Sequence, residues 1–153
     1  MLSQLRRSAP VALRHVLSQE AIGGTVSDAL NWDEVRQLAS RVLERGEPLI
    51  LTDEVRDILR RTAPQVAIST EETEQALSTV PSATELLREI ARRIRDGSHQ
   101  LSRALSRMYR LRDAGDLDGA RQQMRDVLAV ELVPHYRNIA ETSLDALAEE
   151  TED

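Results

Sequence analysis

The chain has 153 residues and a formal net charge of −6, with no Cys and no Phe, and all 20 of its basic residues are Arg, so it has no Lys either. The missing Cys excludes disulfide frameworks, thiolate metal sites and cysteine nucleophiles. The missing Lys excludes Schiff-base chemistry and phosphate-loop lysines, which need a positionable amine. Leu, Ile and Val make up 39 residues, about a quarter of the chain, which is enough to build an apolar core. Residues 1–19 carry Arg6, Arg7 and Arg14 and no acid, and their longest apolar run, Ala9 to Leu13, is too short to span a membrane or form a signal-peptide core. Residues 1–30 therefore read as a basic leader or flexible extension, with Gly23-Gly24 as a hinge.

From Asn31 the helix signals are regular. Asn31 can cap a helix with apolar Trp32, Val35, Leu38, Val42 and Leu43 on one face, stopped by Gly46. Thr52 caps a second helix through about Thr62, with Asp53 and Glu54 at the positive end of its dipole. Pro64 closes that helix, and Ser69 with Glu72 forms a capping box for a third, reaching about Thr79. Asp33-Glu34-Val35-Arg36 recurs as Asp53-Glu54-Val55-Arg56, marking two helix starts. Leu49-Ile50-Leu51 and Val66-Ala67-Ile68 are short extended pieces that could pair as a minor two-stranded ribbon.

Beyond Pro81, Ser82 and Glu85 form another capping box. Leu86, Leu87, Ile90, Ile94, Leu101, Ala104, Leu105, Met108 and Leu111 then hold one helical phase across Gly97. The spacing predicts one helix from 83 to about 113, ~45 Å long, bent at Gly97-Ser98. Gly115 ends it and Asp116 caps an antiparallel return helix with Leu117, Ala120, Met124, Val127 and Leu128 on its apolar face. Pro134 should kink that helix, after which Tyr136, Ile139, Ala140, Leu144 and Leu147 continue a shifted stripe. Residues 149–153 are an acidic tail expected to fray. The fold class is all-α, with short N-terminal helices packed on a long helical hairpin in a domain spanning 31–148.

Leu51 to Arg61, Val66 to Ser69, Ser82 to Ile90 and, most specifically, Leu105 to Arg121 resemble the DUSAM domain, a family present in many copies in myxobacteria, and the resemblance runs from about Asn31 to Leu147. The resemblance implies a bacterial intracellular setting and a regulatory or interaction role. It brings no activity, cofactor or catalytic residue with it.

Arg88, Arg92, Arg95, His99, Arg103, Arg107 and Arg110 recur every three or four residues, along the side of the long helix opposite its apolar stripe. Residues 88–112 contain eight Arg and two acids, a local charge of +6 that leaves −12 for the rest of the chain. Such a row suits an acidic protein partner, because guanidinium groups bind carboxylates in a planar, bidentate way. It also suits a solvated face held by in-helix pairs such as Glu85–Arg88 and Glu89–Arg93. Nucleic acid is disfavoured by an overall acidic chain with three aromatic residues.

Glu131 and His135 stand one helical turn apart, a metal-ligand spacing, but further ligands are lacking and a structural role is expected. The Asp113–Gly119 turn fails as a calcium loop, since its frame puts Ala114 and Arg125 where acids are required. The half-match of Gly115 to Leu128 to a tetratricopeptide unit lacks a first helix. Acid pairs such as Glu71-Glu72 and Glu149-Glu150 sit at solvated helix ends, and no nucleophile elbow, phosphate loop or dinucleotide fingerprint occurs. The expectation is a non-enzymatic interaction or regulatory module without cofactor, metal or membrane anchor, in the cytoplasm. Its partner would be another protein or a second copy, since the long helix could expose more apolar stripe than the short helices cover.

Overall fold

The computed structural model describes residues 30–150, and the expected leader, its glycine hinge and residues 151–153 lie outside them. Six α-helices are described: α1 Asp33–Ala39, α2 Asp53–Thr62, α3 Thr70–Ala76, α4 Val80–Asp113, α5 Leu117–Val130 and α6 Pro134–Glu150. Among the described residues there is no strand.

The caps follow local chemistry. Thr52 Oγ1 accepts from Val55 N at 3.1 Å, Ser69 Oγ from Glu72 N at 3.1 Å and Asp116 Oδ1 from Gly119 N at 2.9 Å. Each satisfies an amide that the first helical turn leaves without a partner. The two Asp-Glu-Val-Arg copies open α1 and α2. After α1 the chain widens into a π-turn, Ser40–Glu44, closed by Arg45 N donating to Ser40 O at 3.0 Å, and Gly46 reverses it at φ +75°.

The expected ribbon does not form. Val66 closes a 3-10 turn, Ala63–Val66, and Ala67 takes φ 64°, so Val66-Ala67-Ile68 curls where a strand would extend. Ile68 N then bonds back to Ala63 O at 2.9 Å, which occupies the amide that a strand partner would need.

Two boundaries also differ. Helix α4 begins at Val80, capped by Thr79, whose Oγ1 accepts from Ser82 N at 3.2 Å. Pro81 fits inside the first turn, where its missing N–H has no partner to lose. The return segment is two helices rather than one kinked helix. Glu131 is extended, its Oε2 accepts from Leu132 N at 2.9 Å and Val133 N at 3.0 Å, and Pro134 starts α6. Arg137 Nη1 closes the end of α5 by donating to Leu128 O at 2.7 Å and Glu131 O at 2.9 Å.

Helices α4 and α5 pack as the expected hairpin, with Gly115 at φ +85° in the turn, and α6 packs on α5 and α4. Tyr136 Oη donates to Ile94 O at 2.9 Å, and Arg112 lies 3.7 Å from Glu150, so α6 runs alongside α4 in the same direction. Leu86, Leu87, Ile90, Ile94, Leu101, Ala104, Leu105 and Met108 are all buried. The short helices, α5 and α6 thus cover most of the apolar stripe of α4 within one chain, with Leu111 at its end half-buried. Trp32 and Tyr136 are buried large pieces of this core, while Tyr109 is half-buried.

Gly97 is a point of close packing between helices. Helix α4 continues through it, and a Cβ at this position would lie 2.6 Å from the Tyr136 ring and 2.7 Å from Glu131 Oε1. Glycine is required here for close approach of two helices, at the position where the sequence suggested a bend.

Candidate functional site

All seven residues of the predicted row, Arg88, Arg92, Arg95, His99, Arg103, Arg107 and Arg110, are exposed on α4. Their electrostatic surroundings divide them into two groups. Arg88 pairs with Glu85. Arg92 Nη2 lies 2.6 Å from Glu89 Oε1 and its Nη1 lies 3.7 Å from Asp96, while Arg95 Nε lies 3.3 Å from Asp96. These contacts are three, four or one residue apart in sequence, so the helix itself supplies the counter-charges.

Glu89 is the centre of this paired segment. Its carboxylate accepts from Arg92 and also from Arg93 Nε at 2.8 Å. The Arg92 bond, opposed by partial burial and reinforced by Arg93, pulls the Glu89 carboxyl from its ordinary value of 4.5 to about 2. The same bond holds the Arg92 guanidinium above its ordinary value. Arg93 lies off the row and ties α4 to the end of the 3-10 turn, donating from Nη1 to Val66 O at 2.9 Å and Ala67 O at 3.2 Å.

Past Asp96 the environment changes. Residues 97–112 contain four Arg, one His and no acid. His99, Arg103, Arg107 and Arg110 form no ion pair with any described residue. Arg112 is turned elsewhere, 3.2 Å from Asp113, 3.7 Å from Glu150 and 5.5 Å over the Tyr109 ring. Burial pushes the Tyr109 hydroxyl up to about 12, against the opposing charge of Arg112. The exposed surface from His99 to Arg110 therefore offers three guanidinium groups with open hydrogen-bonding capacity to a carboxylate-bearing ligand.

Glu131 and His135 do not make a metal pair. Because α5 ends before Glu131 and α6 starts after Val133, the two are not one turn apart on a single helix. Glu131 is 7% exposed and uses Oε2 as a cap for two amides, while Oε1 is buried against Gly97 without a hydrogen-bond partner. His135 packs its ring 5.9 Å from Trp32 and 5.6 Å from Tyr136. Among the described residues no group of three or more His, Asp or Glu could hold a metal ion.

The sequence row contained the exposed face but not its division, and it did not mark a second row of opposite sign. Glu141, Asp145 and Glu149 recur every four residues along α6, all exposed. Their regular spacing was the available signal, obscured by reading the end of the chain as a tail.

Residues 30–147 match the model of a family described as a protein of unknown function, DUF2379. The chain belongs to this family. The DUF2379 match takes in α1 to α5 and most of α6, so it spans the whole arginine row and the capped joint at Glu131. The family description indicates no enzymatic activity and no specific role. No curated protein and no solved structure matches the chain. Among the described residues no helix is long and apolar enough to cross a membrane.

Proposed function

We propose that residues 31–148 form a DUSAM-type, non-enzymatic interaction or regulatory module in the bacterial cytoplasm. It docks an acidic protein surface on His99, Arg103, Arg107 and Arg110. The carrying observation is the acid-free stretch 97–112: Arg103 and Arg107 have no acid within four residues on α4, and Arg110, three residues before Asp113, forms no ion pair with it. Arg88, Arg92 and Arg95 contribute less, because a partner would first displace Glu85, Glu89 and Asp96. The DUF2379 match covers the residues of the DUSAM resemblance, which supports treating the two as one family. Nucleic acid remains the weaker reading, since Trp32 and Tyr136 are buried and Tyr109 is half-buried, leaving no stacking platform among the described residues.

Calorimetric titration of the full chain with poly-L-glutamate at about 50 mM and about 500 mM salt tests this reading. The expected result is binding at low salt that fades at high salt and disappears when Arg103, Arg107 and Arg110 become Glu. Absence of binding at low salt, or equal binding by the triple variant, would overturn it. Tighter binding to a DNA or RNA duplex than to poly-L-glutamate would favour the nucleic-acid reading instead.

A further inference from the structure

Residues 138–150 of α6 hold four acids and no base, which mirrors the acid-free stretch of α4. Glu141, Asp145 and Glu149 are exposed along one face and, like the arginine row, form no ion pair with any described residue. Within one chain the rows lie on parallel neighbouring helices, tied at Tyr136–Ile94 and Arg112–Glu150, yet neither row neutralises the other. Two rows of opposite charge, both unpaired and of similar length, are thus presented on the same bundle. From Arg103 to Arg110 is about 10.5 Å along the helix, and from Glu141 to Glu149 about 12 Å. Arginine side chains are long enough to absorb that difference.

We infer that the acidic partner of the arginine row is a second copy of this chain. Its α6 lies antiparallel against α4, so that Arg103, Arg107 and Arg110 meet Glu149, Asp145 and Glu141 of that copy. This deepens the docking reading above and rests on it. Exposed ion pairs are individually weak and strongly screened, so the association needs protein at about 0.1–1 mM and low salt.

Sedimentation equilibrium of the full chain over that range, at about 50 mM and 500 mM salt, tests the inference. The expected low-salt mass exceeds the monomer, and the apparent affinity falls about tenfold or more at high salt. Changing Arg103, Arg107 and Arg110 to Glu gives a monomer, as does changing Glu141, Asp145 and Glu149 to Arg, and mixing the two variants restores the larger mass. If either charge-reversed set melts poorly by circular dichroism, the neutral Gln and Asn replacements take its place and are likewise monomeric. A monomeric wild type at low salt, a variant that associates like wild type, or a mixture of folded reversed variants that stays monomeric would each overturn the inference. If the wild type is monomeric yet binds poly-L-glutamate, self-association alone falls. If it does neither, the docking reading falls as well.

Discussion

The two halves of α4 carry the same residue type on the same exposed face, and they differ in what surrounds it. Between Glu85 and Asp96 three acids answer four arginines, and Arg88, Arg92 and Arg95 all have carboxylate partners on their own helix. Between Gly97 and Arg112 there is no acid, and His99, Arg103, Arg107 and Arg110 face solvent. The difference teaches that a basic stripe has open hydrogen-bonding positions only where its own helix does not already satisfy it. On the proposed docking reading, an acidic ligand would exchange one carboxylate for another in the first half and fill an open position in the second.

The sharpest way to break this comparison is to reverse charges in each half separately. Arg103→Glu with Arg107→Glu is expected to weaken poly-L-glutamate binding about thirtyfold, roughly 1 kcal/mol per site. Arg88→Glu with Arg92→Glu is expected to weaken it less than about threefold, and equal losses in a calorimetric titration would erase the distinction.

Gly97 stands on the border of the two halves and tests the scaffold that separates them. Alanine there gains about 1 kcal/mol of helix propensity but forces the Tyr136 ring and Glu131 carboxylate aside, an overpacking cost of about 1–3 kcal/mol. The ring is held by the 2.9 Å bond to Ile94 O and by an edge contact with the Trp32 ring at 5.8 Å, so the cost should win. Gly97→Ala should lower stability by up to about 2 kcal/mol in chemical denaturation, and an unchanged midpoint would show that the joint yields.

A subtler change makes the second half resemble the first. Gln100→Glu supplies an acid three residues before Arg103, and Ser106→Glu one four residues before Arg110. Together they should weaken acidic-ligand binding about threefold to tenfold while leaving the melt unchanged. The smallest effect belongs to Glu89→Gln, which releases Arg92 and Arg93. The folded Glu89 carboxyl is depressed from 4.5 to about 2, so its contribution is present above pH 4.5 and is lost as pH falls toward 2. Glu89 is about a third exposed, so at pH 7 the variant should be less stable by only about 0.5 kcal/mol, and the difference should shrink steadily below pH 4.5 and be mostly gone near pH 2.

Much of the fold was legible because it is locally encoded. Thr52, Ser69 and Asp116 cap the helices they precede, and the apolar phase of α4 reads directly onto its buried face. Where local signals compete, reading from sequence fails. Thr79 and Ser82 are both good caps before the same helix, and the choice depends on Pro81 fitting the first turn. Three-residue apolar runs cannot distinguish a strand from a 3-10 turn ending at Ala67. The break before α6 depends on Glu131 folding its carboxylate onto its own next two amides and on Arg137 reaching back nine residues to Leu128 O. The exposed row was legible from spacing alone. Its division depends on which acids the guanidinium groups reach, and the role of Gly97 depends on Tyr136, 39 positions away, so neither is contained in a helical pattern.

The most direct test follows the arginine side-chain Nε–Hε resonances of the full chain by NMR during titration with poly-L-glutamate at low salt. The account predicts that Arg103, Arg107 and Arg110 shift together and saturably, while Arg88, Arg92 and Arg95 move little. Equal shifts along the whole row, or shifts confined to the paired half, would contradict it.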